Sequence, residues 1–178
     1  SQTVRAYFSD SPLPPRIRVE WPVFFQSPGR QRSGTADLFQ LRVELRGTEV
    51  QRTVVLPSDC TLEDLHEVIQ DAMGWEDCHL YGFTVKKKRY GPDEGDLPDD
   101  EVELREVLPR VRSKLVYHYD FGDDWIHDVI LEKRLKPTDH APEIDVLAGA
   151  GACPPEDCGG IPGYFSMIEA LSTPRHPD

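Results

Sequence analysis

Alternating apolar and polar residues predict a β-hairpin between residues 115 and 131. The two alternating runs flank Gly-Asp-Asp at 122–124, which we expect to form a three-residue turn. That turn would set three cross-strand pairs: Phe121 with Trp125, Tyr119 with His127, and Tyr117 with Val129. One face would then carry Leu115, Tyr117, Tyr119, Phe121, Trp125, Val129 and Leu131. The other would carry His118, Asp120 and Asp128 among Val116, Ile126 and Ile130. We predict that the first face forms the core.

The segment before this hairpin has the pattern of two strands, a helix and a third strand. Residues 38–45 alternate as a half-buried strand does, and residues 50–56 supply its hairpin partner. Residues 62–73 have helical spacing, with a capping threonine before them and a glycine stop after them. Residues 80–85 predict the third strand.

The end of the chain has a less regular pattern. Residues 102–108 predict a short strand or turn, and residues 148–152 form a stretch of small side chains. The prolines and glycines of residues 153–160 exclude a regular helix or a central strand there. Pro162 suits the first turn of a final helix.

These elements together predict an α+β fold. The order strand–strand–helix–strand is typical of the first half of a β-grasp, ubiquitin-like fold, in which one helix covers a small mixed sheet. The aromatic hairpin and a C-terminal helix would complete it. We expect residues 1–36 to be an N-terminal arm containing proline and arginine, and residues 37–178 to be the α+β domain.

Composition narrows the class of protein. The chain has 178 residues and a net charge of −12, and the sequence has no apolar run long enough to span a membrane and no signal-peptide pattern. We therefore expect a cytoplasmic protein without membrane partners.

The four cysteines of the chain are few for a secreted scaffold of this length. Cys60 and Cys78 lie at opposite ends of the predicted helix, too far apart for a disulfide.

Two motifs in the second half of the chain are specific. The first is Tyr117-x-Tyr-Asp-Phe-Gly-Asp-x-Trp-x-His127, and the second runs from Ala152-Cys-Pro-Pro-Glu-Asp-Cys-Gly-Gly to Tyr164. Together they resemble the plasmid pRiA4b open-reading-frame-three-like family. The resemblance implies an α+β domain of bacteria and archaea, often carried on mobile elements and sometimes labelled a transposon passenger or resolvase, in a family whose function is largely unknown. Members commonly have a cysteine where this chain has Val146.

We predict a non-catalytic module that binds a partner protein. Trp75, Trp125 and Tyr164 lie near loops or turns, where an exposed aromatic ring would anchor a partner, and Trp75 is the best surface candidate. The full set of predicted binding residues is Trp75, His79, Tyr119, Asp120, Asp123, Trp125, His127, Glu156, Asp157 and Tyr164.

A metal-dependent enzyme is one alternative. Zinc binds cysteine, histidine and carboxylate ligands, and the candidate ligands are His118, His127, Asp128, Cys153 and Cys158. Against this, the Cys-x4-Cys spacing is not that of a zinc knuckle, and the two histidines point to opposite hairpin faces. The expectation is therefore no cofactor, with zinc as the exception to test.

A DNA-associated accessory factor is the other alternative. Nucleic-acid binders usually display a basic surface, and the basic residues available here are Arg16, Arg18, Arg30, Arg32, Lys86, Lys87 and Lys88. The serines of the family region are Ser58, Ser113, Ser166 and Ser172, and none lies in the arginine-rich, glycine-hinged context that resolvase chemistry needs. Glu156 and Asp157 are adjacent acids, for which capping the final helix is the simpler use.

Overall fold

A computed structural model of the chain describes residues 36–137 and 144–172. The predicted arm, up to residue 35, lies outside the described residues. The described part contains the strands β1 Leu38–Leu45, β2 Gln51–Pro57, β3 Tyr81–Val85, β4 Lys88–Tyr90, β5 Lys114–Tyr119, β6 Trp125–Leu135 and β7 Asp145–Ala150. It also contains the helices α1 Leu62–Met73, α2 Leu104–Val107 and α3 Gly160–Ser172.

The seven strands form one sheet in the order β4-β3-β5-β6-β1-β2-β7. All six strand pairs are antiparallel, so the α+β class is confirmed and the prediction of a mixed sheet is wrong. Strand β1 lies in the interior of the sheet, between its hairpin partner β2 and the distant β6. The predicted order of two strands, a helix and a third strand is confirmed.

Helix α1 begins and ends at the signals in its sequence. The Thr61 side chain accepts a hydrogen bond from the backbone N–H of Asp64, whose carboxylate accepts one from the backbone N–H of Thr61. At the other end Gly74 has φ of 77°, a left-handed conformation that glycine adopts without strain. The capping box and the glycine stop therefore fix the length of the helix.

The hairpin of β5 and β6 forms with a register two residues away from the predicted one. Tyr119 pairs with Trp125, Tyr117 with His127 and Leu115 with Val129. The connecting segment comprises residues 120–124, because Asp120 and Asp124 adopt left-handed φ values of 54° and 56°. Aspartate tolerates this conformation better than most side chains.

This shift changes the pairs but not the faces. Side chains alternate with a period of two along a strand, so a slip of two residues leaves each on its predicted side. Tyr117, Tyr119 and Trp125 are fully buried, as expected. The prediction that Phe121 lies in the core is wrong. This residue is in the turn, outside the paired strands, and lies half-buried beside the His118 ring. The predicted register would place His118 opposite Asp128, which is wrong, since Asp128 lies opposite Val116.

One segment differs from its predicted form, because residues 104–107 form the short helix α2 instead of a strand or turn. The stretch of small side chains falls largely in the edge strand β7. The final helix is confirmed, with Pro162 in its first turn. Within the described residues no helix is long and apolar enough to cross a membrane.

The core lies between α1 and the aromatic face of the hairpin. Each aromatic ring buries about 150–250 Å², which contributes roughly 4–6 kcal/mol before conformational entropy is subtracted. Tyr117 also connects the two layers, because its hydroxyl accepts a hydrogen bond of 3.0 Å from Gln70 of α1. The four cysteines all lie in the described part of the chain, and none forms a disulfide there.

Candidate functional site

Three loops meet at one end of the sheet: residues 74–80 after α1, residues 120–124 between β5 and β6, and residues 151–159 before α3. We call them the three-loop site. The first two are joined because Asp120 donates its backbone N–H to Leu80 O at 2.9 Å. The third loop is connected to the second because the Asp123 carboxylate accepts a hydrogen bond of 3.0 Å from the backbone N–H of Gly159.

His79 lies at the centre of the three-loop site. Its Nε2 atom is 3.0 Å from Asp157 Oδ1, 3.6 Å from Asp120 Oδ2 and 3.9 Å from Glu156 Oε2. The 3.0 Å contact with Asp157 lacks hydrogen-bond geometry, and Nε2 has no hydrogen-bond partner among the described residues. The ring is 27% exposed, so it is reachable from solvent.

Two of the carboxylates use one oxygen for structure and turn the other toward His79. Asp120 Oδ1 accepts hydrogen bonds from the backbone N–H groups of Gly122 at 2.9 Å and Asp123 at 3.3 Å. Glu156 Oε1 accepts from Glu76 N and from the Tyr119 hydroxyl, both at 2.9 Å. Both carboxylates are therefore fixed before any ligand arrives.

Tyr119 and Cys78 complete the inner wall. The Tyr119 hydroxyl accepts a hydrogen bond of 3.1 Å from the backbone N–H of Cys78. Burial, and then the hydrogen bond to Glu156, raise the pKa of Tyr119, so the phenol stays protonated and donates. Loss of solvent, and then the Glu156 carboxylate, raise the pKa of the Cys78 thiol. Cys78 was not a predicted site residue, and only its position beside His79 pointed to it.

The predicted aromatic anchors are not exposed. Trp75 is 6% exposed and Trp125 is fully buried, so the interpretation of Trp75 as a surface anchor is wrong. The Trp75 ring stacks on Tyr119 at 5.0 Å and donates its indole N–H to Pro154 O at 2.9 Å. Tyr164 is also buried, and its hydroxyl donates to Ala152 O at 2.6 Å. These rings support the three loops from below.

A second polar network, which the sequence did not reveal, lies beneath α1. His66 is buried, with Nδ1 2.8 Å from the Tyr117 hydroxyl and Nε2 2.9 Å from Asp77 Oδ1. Its ring stacks on Tyr81 at 3.5 Å. Burial lowers the pKa of His66, partly offset by Asp77. Because its partners are mostly core residues, this network stabilises the fold.

The predicted metal ligands do not converge. His118 pairs with Asp124 at 2.9 Å, Asp128 with Arg46 at 2.7 Å, and Cys153 accepts a hydrogen bond of 2.8 Å from Arg52. His127 is fully buried in the core, on the hairpin face opposite His118 and Asp128. Cys158 lies in the third loop of the site, where burial and then the Asp123 carboxylate raise the pKa of its thiol.

The structure instead brings together five of the predicted binding residues: His79, Tyr119, Asp120, Glu156 and Asp157. Within the described residues, two sets of three side chains have donor atoms within 4.8 Å of one another. The sets are Cys78, His79 and Glu156, and His79, Asp120 and Asp157.

A shallow groove of about 540 Å³ lies between the β1–β2 turn and α3. Val50, Tyr164, Phe165 and Ile168 supply most of its apolar lining. Among the described residues that line it, Glu49 is the one carboxylate, so the chemistry of this groove differs from that of the three-loop site.

Three of the predicted basic residues lie in the described part of the chain. Lys86, Lys87 and Lys88 are exposed at the β3–β4 turn, whereas β3 begins at Tyr81 beside the three-loop site. The predicted arginines 16, 18, 30 and 32 lie outside the described residues.

The fold and the three-loop site define an α+β domain with a seven-stranded antiparallel sheet and a histidine–carboxylate cluster at one end. Over residues 37–178 the chain matches the family described as plasmid pRiA4b ORF-3-like protein, and it belongs to that family. The family is one of unknown function.

Two relatives support this placement. The chain is 41% identical over 149 residues to the uncharacterized protein y4hQ of Sinorhizobium fredii (strain NBRC 101917 / NGR234), covering 79% of this chain and 76% of that protein. It is 31% identical to MM3350 from Methanosarcina mazei Go1, a protein of unknown function whose crystal structure superposes with a TM-score of 0.72. That match covers 80% of this chain and 85% of the other.

Proposed function

We propose that this domain is a non-catalytic module that binds a lysine- and arginine-rich segment of a partner protein at the three-loop site. One observation carries the proposal: the site gathers seven carboxylates, and its loops contain no lysine or arginine. The seven are Glu76, Asp77, Asp120, Asp123, Asp124, Glu156 and Asp157.

The outer carboxylates face solvent. Glu76, Asp77, Asp124 and Asp157 are exposed, whereas Asp120 is buried and Glu156 is only 17% exposed. Like charges concentrated in this way attract a cationic partner and raise its association rate. Leu80, which is 55% exposed beside His79, offers an apolar contact at the rim.

The site is also pre-organised. Hydrogen bonds from Tyr119, Glu76 N, Gly122 N and Gly159 N hold the carboxylates in place. A binding surface that is already ordered loses less conformational entropy when the partner binds. Because the aromatic rings are buried instead of displayed, we expect the affinity to depend mainly on charge and therefore on salt.

The proposal also covers the type of fold, the cellular location and the genetic context of the protein. A β-grasp-like description of the first half is supported by the order β1–β2–α1–β3, and domains of that kind often bind partners at sheet edges and loops. An association with mobile elements in prokaryotes is supported by the family's description, which names a plasmid. A cytoplasmic location is part of the same proposal.

The alternatives have weaker support. For a DNA-associated factor, the cluster Lys86–Lys88 follows the end of a five-residue strand, about 17 Å from the start of β3. The carboxylates at the three-loop site would repel phosphate. For a metal-dependent enzyme, the cluster around His79 supplies ligand types, but no described feature indicates a reaction or a substrate.

The test uses a labelled Lys/Arg-rich peptide, with a Glu-rich peptide of equal length for comparison, in buffer containing a chelator. Fluorescence anisotropy at about 50 mM and about 300 mM salt should show saturable binding of the basic peptide that weakens as salt rises. The variant Glu76→Gln/Asp124→Asn/Asp157→Asn should lose most of this binding.

The matched control is Glu94→Gln/Asp100→Asn/Glu101→Gln, which removes the same charge from exposed acids of another loop. It should bind like the wild type. Equal losses in both triple variants would mean that net charge alone attracts the peptide, and the proposal would be rejected.

A further inference from the structure

We propose that the three-loop site holds a divalent transition-metal ion of the zinc class on His79, Asp120 and Asp157. This inference goes beyond binding of a partner protein and does not depend on it. It rests on the positions of three side chains from three separate loops, which lie 37 or more residues apart in the sequence.

The ligand spacing suits such an ion. Ligand atoms about 2.0–2.2 Å from a tetrahedral zinc ion lie roughly 3.3–3.6 Å from one another. His79 Nε2 is 3.0 Å from Asp157 Oδ1 and 3.6 Å from Asp120 Oδ2. Small side-chain adjustments would bring all three to ideal positions, because Asp157 is 74% exposed and free to move.

Two polar atoms at the site lack the hydrogen bonds that buried atoms normally make. His79 Nε2 and Glu156 Oε2 have no accessible surface and no hydrogen-bond partner within residues 36–137 and 144–172. Buried polar atoms in native proteins are rarely unsatisfied. An ion beside Nε2 would give this atom its partner and would lie close to Glu156 Oε2.

An imidazolium ring explains the arrangement less well. A protonated His79 would carry one positive charge against three carboxylates, and its Nε2 carries a single proton to donate. The 3.0 Å contact with Asp157 does not have hydrogen-bond geometry. A divalent ion supplies twice the charge and contacts all its ligands at once.

The residues around the ligands would hold them in position. The backbone N–H groups of Gly122 and Asp123 fix Asp120, as outer hydrogen bonds do at known metal sites. The exposed side of Asp157 leaves a position open for water. The imidazole ligand favours zinc and its neighbours over magnesium, which prefers oxygen ligands alone.

The first experiment is a calorimetric titration of zinc chloride into the full chain after treatment with a chelator. The wild type should bind one ion per chain, and magnesium chloride should not compete. His79→Asn and Asp157→Asn should each weaken zinc binding at least about 10-fold. The asparagine at 157 keeps the left-handed conformation that the aspartate adopts, so the fold is retained.

The matched controls are His118→Asn and Asp100→Asn. His118 is another partly exposed histidine beside an aspartate, and Asp100 is an exposed acid outside the site. Both variants should bind zinc like the wild type. Absence of saturable binding by the wild type, unchanged binding by His79→Asn, or an equal loss in the controls would each overturn the proposal.

Cobalt(II) then identifies the ligands. Visible absorption that saturates at one ion per chain, without a near-ultraviolet thiolate band, is expected for nitrogen and oxygen ligands. A thiolate band abolished by Cys78→Ser would overturn the assignment in favour of Cys78, His79 and Glu156. Because the peptide assay is run with a chelator, failure of either proposal leaves the other measurable.

Discussion

Tyr119 Oη donates a hydrogen bond of 2.9 Å to Glu156 Oε1, which ties the end of β5 to the loop before α3. The same hydroxyl accepts a hydrogen bond from the backbone N–H of Cys78 in the loop after α1. One phenol thus joins two loops to the sheet, and the arrangement around His79 depends on it.

Replacing Tyr119 with phenylalanine should destabilise the protein by about 1–3 kcal/mol, because Glu156 and the Cys78 N–H each lose a partner. Urea unfolding measures the change. Tyr90→Phe is the control, since this tyrosine is buried at the end of β4, outside the three loops, and the substitution should be nearly neutral. Equal effects of the two substitutions would show that the bond to Glu156 contributes nothing.

Stability should fall as the pH decreases below about 6.5, in part because of His127. Burial lowers the pKa of His127 to about 3, although backbone groups of Trp125 and Tyr117 offset part of the effect. Neither ring nitrogen makes a hydrogen bond of acceptable geometry with the described residues. The unfolded chain therefore binds a proton that the folded chain does not, and each pH unit from 6.5 down to about 3 costs up to about 1.4 kcal/mol.

The measurement is the free energy of unfolding against pH for the wild type and His127→Leu. Burial lowers the pKa of His66 as well and raises the pKa values of Glu63, Glu67 and Asp71, and these groups are present in both proteins. The difference between the two curves therefore isolates His127. Parallel curves would contradict the prediction.

Truncating Trp125 to alanine should cost about 3–5 kcal/mol, because the indole is fully buried in the core. Trp125→Phe should cost much less, since the indole N–H has no hydrogen-bond partner among the described residues. Phe121→Ala, at the half-buried turn position, should be milder than Trp125→Ala. A melting temperature unchanged by Trp125→Ala would mean that the ring contributes no core packing.

Arg52→Lys should destabilise the protein by about 1–3 kcal/mol despite the retained charge. The guanidinium donates to the carbonyl oxygens of Gln51, Ala72, Ala150 and Gly151 and to Cys153 Sγ. A lysine cannot reach this many acceptors with one ammonium group. Arg110→Lys, at an exposed arginine, is the control and should fall within about 0.5 kcal/mol of the wild type. A similar loss in this variant would mean that replacing any arginine by lysine destabilises the protein.

The hairpin shows how far alternation can predict a fold. The pattern correctly assigned Tyr117, Tyr119 and Trp125 to the core, because burial depends only on the face. It could not choose between registers that differ by two residues, since both place the residues of the two strands on the same faces. The left-handed conformations of Asp120 and Asp124 decided the register, and aspartate adopts other conformations equally well.

The three-loop site shows what a sequence pattern could not predict. His79, Asp120 and Glu156 come from three loops, so no spacing in the sequence predicts that they meet. Trp75 was expected at the surface because it follows a helix stop. Its backbone N–H instead donates to Gln70 O, and the tight reversal turns the ring onto Tyr119.

The position of β1 between β2 and β6 has a consequence during synthesis. Arg46, just after β1, contacts Asp128 of β6 across 82 residues of intervening chain. At about 5–20 residues per second, β1 emerges roughly 4–16 s before the strand that covers its second edge. Through that interval the nascent chain exposes an unpaired strand edge in the ribosome's vicinity, where chaperones act.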